Sequence, residues 1–143
     1  VHLLALWRAH ELDRLLREAW SAGAILCGVS AGMNCWFSAS VTDGFGGLAP
    51  LNDGLGLLEA SACPHYNNEG RRPAFHQAVM GGFPPSYAPE DGAALHFIGR
   101  ELSAVVSSHP NAKAYRVEVR NGQLVEEELA IRLLGNGTAR REQ

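Results

Sequence analysis

The sequence lacks several features that would assign it to common classes of protein. It has no apolar run of roughly 18 residues and no charged-then-apolar leader with a cleavage site, so nothing in it marks a membrane span or export. Its net charge is -3, and its lysines and arginines form no cluster beyond the pairs Arg71-Arg72 and Arg140-Arg141. We therefore expect neither a membrane nor a nucleic acid as a partner.

Cysteine is also scarce. The three cysteines, Cys27, Cys35 and Cys63, are odd in number, lack C-x-x-C spacing and lie in apolar stretches, which argues against a disulfide framework and a zinc site. The six histidines lack paired ligand spacing too, so we expect no metal and no other cofactor. Reduced structural thiols of this kind favour a cytoplasmic protein.

What is present fits one globular domain. The chain has 143 residues, of which 46% are hydrophobic and 19% charged, enough to bury a substantial core. The amphipathic pattern of residues 2–22 predicts a helix, and residues 24–27 predict a short buried strand directly after it. Such a strand normally has an earlier parallel neighbour, so we expect the N-terminal strands of an α/β sheet to be missing.

Further along the chain, residues 41–58 are rich in glycine and predict a loop, followed by a short strand that ends at Pro64-His65. Pro73 and Gly81-Gly82 bracket a predicted helix of about ten residues. The remainder is β-rich and includes a hairpin around Asn121-Gly122. We assign residues 1–135 to one α/β domain and residues 136–143 to a disordered polar tail.

The stretch Gly28-Val29-Ser30-Ala31-Gly32 places a serine between two glycines where the buried run ends. A residue in a sharp strand-to-helix turn needs neighbours without side chains two positions away, because the backbone doubles back there. The pattern therefore predicts an exposed serine nucleophile, followed by a packed helix over residues 30–37. A plain helix N-cap at Ser30 explains the same five residues about as well.

A serine nucleophile needs a base and an acid that orients the base. His65 is the favoured base, since it ends a predicted strand and enters a polar loop, and His109 is the loop alternative. Structural roles account better for the other histidines, which are His2, His10, His76 and His96. For the acid, Glu90 and Asp91 lie in a loop before a strand, although ordinary turn carboxylates have the same setting.

Four segments, "GVSAGMNCWF", "TDG", "GLGLL" and "CPHYNNEGRR", resemble in their order the peptidase E family of serine peptidases, the aspartyl dipeptidases, whose relatives include cyanophycinase. The resemblance runs from about residue 3 to about residue 132. It implies a class I glutamine amidotransferase-like, flavodoxin-like fold and removal of N-terminal aspartate from Asp-Xaa dipeptides. It also implies Ser30 as nucleophile, His65 as base and the N–H of Ala31 as an oxyanion donor.

For the acid, the resemblance favours Glu90 first, Asp91 second and Asp43 third. Family members carry several strands and a glycine-rich loop upstream, and that loop supplies the second oxyanion N–H. We therefore expect an upstream segment or a second chain to complete the sheet, with a homo-oligomer as one form of this.

The substrate is expected to be a small Asp-Xaa peptide. Its side-chain carboxylate needs a cation, which Arg71 or Arg72 would supply, although both also read as solvated surface arginines.

Two other functions fit parts of the sequence. An α/β-hydrolase esterase also carries G-x-S-x-G and orders its triad as serine, acid and histidine, which Ser30, Asp53 and His109 would satisfy. The second alternative function is that of a truncated, non-catalytic domain that acts as a binding or assembly piece.

Overall fold

Two β-sheets and four helices make up the chain, which a computed structural model describes over residues 2–135. The predicted polar tail, residues 136–143, lies outside the described residues. The helices are α1 (His2–Ala9), α2 (Leu12–Ser21), α3 (Ala31–Asn34) and α4 (Arg71–Met80). The strands are β1 (Phe37–Thr42), β2 (Ala49–Leu51), β3 (Leu58–Ala62), β4 (Ser86–Pro89), β5 (Ala93–Ile98), β6 (Glu101–Ser107), β7 (Ala114–Arg120), β8 (Gln123–Glu128) and β9 (Ile131–Leu133).

The larger sheet has the order β2-β1-β3-β4-β7-β8, and the smaller one has the order β5-β6-β9. In the larger sheet β1, β3 and β4 are parallel to one another, while β2, β7 and β8 join antiparallel. The predicted α/β class, with parallel strands flanked by helices, is confirmed. So is the C-terminal hairpin of β7 and β8, whose turn residues Asn121 and Gly122 both have the positive φ that a two-residue turn requires.

The core lies on both sides of the larger sheet. On one side Phe75 and Val79 of α4 pack against Val41, Cys63 and side chains of β4 and β7, which are Ala88, Tyr115 and Val117. Complete burial of a side chain such as Phe75 is worth roughly 1.5–3 kcal/mol. On the other side, alternate residues of β3 pack with Phe97 of β5. The helix α4 matches its predicted length and ends at Gly81.

The predicted single helix over residues 2–22 is wrong, because the chain breaks between α1 and α2 at Glu11, which has a φ of 56°. The break lets both helices bind the same loop. Arg8 of α1 donates to the Asp53 carboxylate at 2.8 Å and to the Gly54 carbonyl oxygen at 3.0 Å, and Arg17 of α2 donates to the Leu55 carbonyl oxygen. None of the helices within residues 2–135 has the length and apolar character that a bilayer span needs.

The predicted buried strand at residues 24–27 is also not formed. These residues belong to no helix or strand, and Ile25 is 93% exposed. A strand needs a neighbour that takes up its backbone hydrogen bonds, and within the described part of the chain no strand pairs with this segment. The expectation that another segment pairs here stays a prediction.

The predicted helix over residues 30–37 stops after one turn. The backbone of Cys35 and Trp36 accepts hydrogen bonds from Leu55 and Leu58, at 2.8 and 2.9 Å, and β1 begins at Phe37. These long-range bonds draw residues 35–42 into the sheet. As a result, part of the region predicted as loop, residues 41–58, contributes the end of β1 and the short strand β2.

We predict that Gly54→Ala destabilises the fold by about 1–3 kcal/mol, the usual range for overpacking. A Cβ added at Gly54 would lie 1.9 Å from the carbonyl oxygen of Phe37, so backbone must shift to admit it. Gly47→Ala is the matched control, because nothing lies within 4 Å of its added Cβ. Denaturant unfolding of both variants checks this, and equal midpoints would contradict the predicted close approach.

Candidate active site

Ser30 occupies a strained turn directly before α3. Its φ is 56° and its ψ is -120°, a conformation that non-glycine residues adopt only where the surroundings enforce it. A Cβ added at Gly28 would lie 2.0 Å from the carbonyl oxygen of Gly32, so the first glycine of the motif is a steric requirement. The space at Gly32 is open. The Ser30 hydroxyl makes no capping hydrogen bond to α3, which removes the support for a plain N-cap.

Ser30 opens into a cavity of about 530 Å³. Segment 24–30 lines it, together with the loops after β3 and β4, residues of β5, and apolar side chains that include Met33, Trp36 and Phe37. His65, Glu90 and Asp91 all line it, and so does His96 of β5. Sequence positions that lie far apart therefore share one concave surface, the setting in which small-molecule sites are found.

His65 and Asp91 form the closest polar pair in this cavity. His65 follows β3 and has a φ of 57°, and its Nδ1 lies 2.5 Å from Oδ1 of Asp91, which follows β4. Because β3 and β4 are neighbouring parallel strands, the loops after them leave the same edge of the sheet. The carboxylate on Nδ1 leaves Nε2 as the ring nitrogen available for proton transfer.

Hydrogen bonds join the two loops that carry this pair. The N–H of Tyr66 donates to the Pro89 carbonyl oxygen at 3.2 Å, and the Asn67 side-chain oxygen accepts from the Asp91 N–H at 3.0 Å. Within the first loop the Asn68 N–H donates to the His65 carbonyl oxygen at 2.8 Å. Hydrogen bonds of neighbouring residues thus hold both loops in place around the contact between His65 and Asp91.

Glu90, the acid that the sequence favours, also lines the cavity, but its carboxylate has a different partner. Its carboxylate accepts a hydrogen bond from the Lys113 N–H at 3.0 Å, and its own N–H donates to the Lys113 carbonyl oxygen. In this turn the two adjacent carboxylates take different partners. The geometry brings Asp91 to the histidine. Asp43, the third candidate, binds Arg71 at 3.0 Å.

Neither arginine expected to bind substrate lines the cavity. Arg71 is buried and donates to Asp43, and Arg72 makes two hydrogen bonds to Glu126 on β8. Their charges are therefore neutralised by carboxylates of the protein itself. In the described lining of the cavity, imidazoles are the side chains able to carry positive charge.

The triad of the esterase alternative is not assembled around Ser30. Asp53 is bound to Arg8 at 2.8 Å, and His109 contacts Gly92 rather than the cavity. Neither residue is among those that line the cavity.

A polar cluster that the sequence did not indicate surrounds Tyr66. The Tyr66 hydroxyl donates to the Glu126 carboxylate at 2.5 Å, and Nε2 of His76 lies 2.8 Å from both groups. The Arg72 guanidinium lies 5.1 Å from the centre of the Tyr66 ring and 4.9 Å from that of Tyr115. Partial burial alone would raise the pKa of Glu126, but the bonds from Arg72, Tyr66 and His76 outweigh it and lower the pKa to about 2.

The cysteines are all free thiols. Burial raises the pKa of Cys35 to about 11 and that of Cys63 to about 12, so both stay protonated and serve packing. Cys27 differs from the expectation of an apolar setting, because it is exposed and lines the cavity. Across residues 2–135 no group of three or more histidine, cysteine or carboxylate side chains is placed to hold a metal ion.

Comparisons with known proteins assign the chain to a family. The sequence model described as Peptidase family S51 matches residues 1–105, which include Ser30, His65 and Asp91. A Bacillus subtilis (strain 168) protein named Uncharacterized peptidase YgaJ is 48% identical over 136 residues. Those residues make up 94% of this chain and 59% of the relative, so the chain spans less than two thirds of that relative's length. No solved structure matches the chain.

Proposed function

The chain belongs to peptidase family S51, and from that premise we propose that it carries the catalytic residues of a serine peptidase that hydrolyses dipeptides with N-terminal aspartate. The observation that carries the proposal is the shared cavity, which both the strained Ser30 turn and the His65–Asp91 pair line. Serine, imidazole and carboxylate are the groups that acyl transfer by a serine nucleophile requires.

The proposed reaction begins when Ser30 Oγ attacks the peptide carbonyl carbon and His65 Nε2 accepts the hydroxyl proton. The carbonyl oxygen becomes an oxyanion that the Ala31 N–H stabilises, since the first N–H groups of a helix have no intrahelical acceptor. His65 then returns the proton to the departing amine, which leaves an acyl-enzyme on Ser30. A water, deprotonated by His65, then attacks the acyl carbon; the bond to Ser30 Oγ breaks, His65 returns the proton to that oxygen, and aspartate leaves.

In this scheme Asp91 takes the role first assigned to Glu90. Its carboxylate on Nδ1 keeps Nε2 free of a proton in the resting enzyme and stabilises the imidazolium that forms after attack. Glu90 has its own acceptor role towards the Lys113 backbone.

The resemblance implies that the substrate has an aspartate side chain, but Arg71 and Arg72 are not placed to bind it. Arg71 and Arg72 are committed to Asp43 and Glu126, so we propose that the substrate carboxylate meets His96, an exposed imidazole on the cavity wall. A cytoplasmic location remains a prediction.

We predict that Ser30→Ala and His65→Ala each lower kcat for an Asp-Xaa dipeptide by about 10³-fold or more, and that the double variant is no worse, because the two residues act as one unit. His109→Ala is the matched control and should retain activity within a few-fold. Labelling of Ser30 by a fluorophosphonate should disappear with either active-site change. Wild-type protein that is never labelled would favour the non-catalytic alternative, and loss with His109→Ala alone would favour the esterase triad.

We predict that Asp91→Asn lowers kcat more than Glu90→Gln does. An amide at Asp91 can leave the histidine in the wrong tautomer, whereas Glu90 contacts only backbone of Lys113. Steady-state kinetics of the two variants, with their unfolding midpoints, decide between the carboxylates. The reverse ranking at equal stability would return the role to Glu90.

We also propose that a further strand, from another segment or a second chain, pairs with residues 24–28. Ile25 and Val29 are largely exposed apolar side chains in or next to this segment, which favours a partner that covers them. The resemblance also implies that a second N–H, from outside these residues, completes the oxyanion hole. The 143 residues alone are then expected to associate in solution or to be at least about 10²-fold less active than the full natural protein. Light scattering and a dipeptide assay check this, and a fully active monomer would contradict it.

A further inference from the structure

Tyr66 links the proposed base to the polar cluster on the far side of its loop. It is the residue after His65 and is only 3% exposed. Its ring packs edge-on against Phe75 and tilted against Tyr115, with ring centres 6.0 and 5.5 Å apart. Its N–H donates to the Pro89 carbonyl oxygen, two residues before Asp91. Both the backbone and the side chain of Tyr66 are therefore fixed.

Glu126 holds the end of that side chain. Its carboxylate accepts from the Tyr66 hydroxyl at 2.5 Å, from His76 Nε2 at 2.8 Å and from two nitrogens of Arg72. The arginine also stacks on the Tyr66 ring. The polar groups of the cluster thus satisfy one another, and their common effect is to fix the position of Tyr66.

The position of Tyr66 matters because His65 has a left-handed backbone conformation, with a φ of 57°. A non-glycine residue keeps such a conformation only where its surroundings hold it. Because the two residues are adjacent in the chain, a shift of Tyr66 would displace His65 and lengthen its 2.5 Å contact with Asp91. Misplacement of a catalytic group by about 1 Å is enough to lower a rate by about 10²-fold.

We propose that Glu126, acting through the Tyr66 hydroxyl, is a positioning residue for the His65 base. The C-terminal hairpin of β7 and β8 is then part of the catalytic apparatus, although it lies beyond residues 1–105 that match the family. Arg72, expected from the sequence to bind substrate, acts here as the cation that holds Glu126. The inference rests on the proposed role of His65.

The test compares Tyr66→Phe and Glu126→Ala in the full natural protein. Tyr66→Phe keeps the packed ring and removes only the hydroxyl. Each variant should lower kcat for an Asp-Xaa dipeptide about tenfold to a hundredfold, with KM within about twofold. The double variant should lose no more than the more impaired of the two single variants, since both changes remove the Tyr66–Glu126 hydrogen bond. Glu126→Gln, which keeps an acceptor oxygen for the hydroxyl, should recover part of the rate.

Glu127→Ala is the matched control. It is the next residue on β8, and its carboxylate binds Arg120 on the exposed side of the hairpin. Its kcat should stay within twofold. Active sites are counted in every sample by fluorophosphonate titration of Ser30, so that kcat refers to folded, competent molecules.

The outcomes separate this inference from the function on which it rests. Activity that survives Ser30→Ala or His65→Ala would overturn the proposed function. If those two changes abolish activity while Tyr66→Phe and Glu126→Ala keep kcat per titrated site within twofold, the positioning role is overturned and the peptidase remains. A loss fully explained by fewer titratable sites would likewise leave the cluster a purely structural role.

Discussion

The hydrogen bond between His65 and Asp91 is the interaction on which the site depends. It exists because β3 and β4 run parallel as neighbours, with Ser61 opposite Ser86 and Ala62 opposite Tyr87. The two serines are fully buried, and their hydroxyl oxygens lie 2.6 Å apart, a contact between the end of β3 and the start of β4. Beyond it, short backbone bonds bring the two loops together. A pair of parallel strands thereby sets the geometry of the proposed catalytic pair.

Several arginines of the described residues bind carboxylates or carbonyl oxygens of the chain itself. Arg8 fixes the loop at Asp53, Arg71 holds Asp43, and Arg72 holds Glu126. Buried or half-buried guanidinium groups need such partners, because an unpaired charge away from water is costly. The consequence for the proposed function is that other groups of the cavity would have to bind the substrate carboxylate.

Features set by neighbouring residues were predictable from the sequence. The helix α4, bracketed by Pro73 and Gly81, and the hairpin turn at Asn121-Gly122 depend on φ preferences that act within a few residues. The Ser30 turn belongs with them, since the need for a glycine at position 28 comes from the close approach of Gly32. The position of His65 at the cavity was also predictable, because the carboxyl ends of parallel strands form the edge where α/β sheets place their sites.

Only the tertiary structure decided the features that need a distant partner. Residues 24–27 are apolar enough for a strand, yet a strand forms only against a neighbour. The break at Glu11 accompanies contacts of Arg8 and Arg17 with one distant loop. Glu90 and Asp91 are adjacent carboxylates, and the fold alone determines which one meets His65. Glu126 lies 60 residues from Tyr66, and nothing local marks it. The sequence by itself determined the local turns and the residue types proposed to carry the chemistry, because both are set by neighbouring residues. The pairing of those side chains depended on long-range contacts.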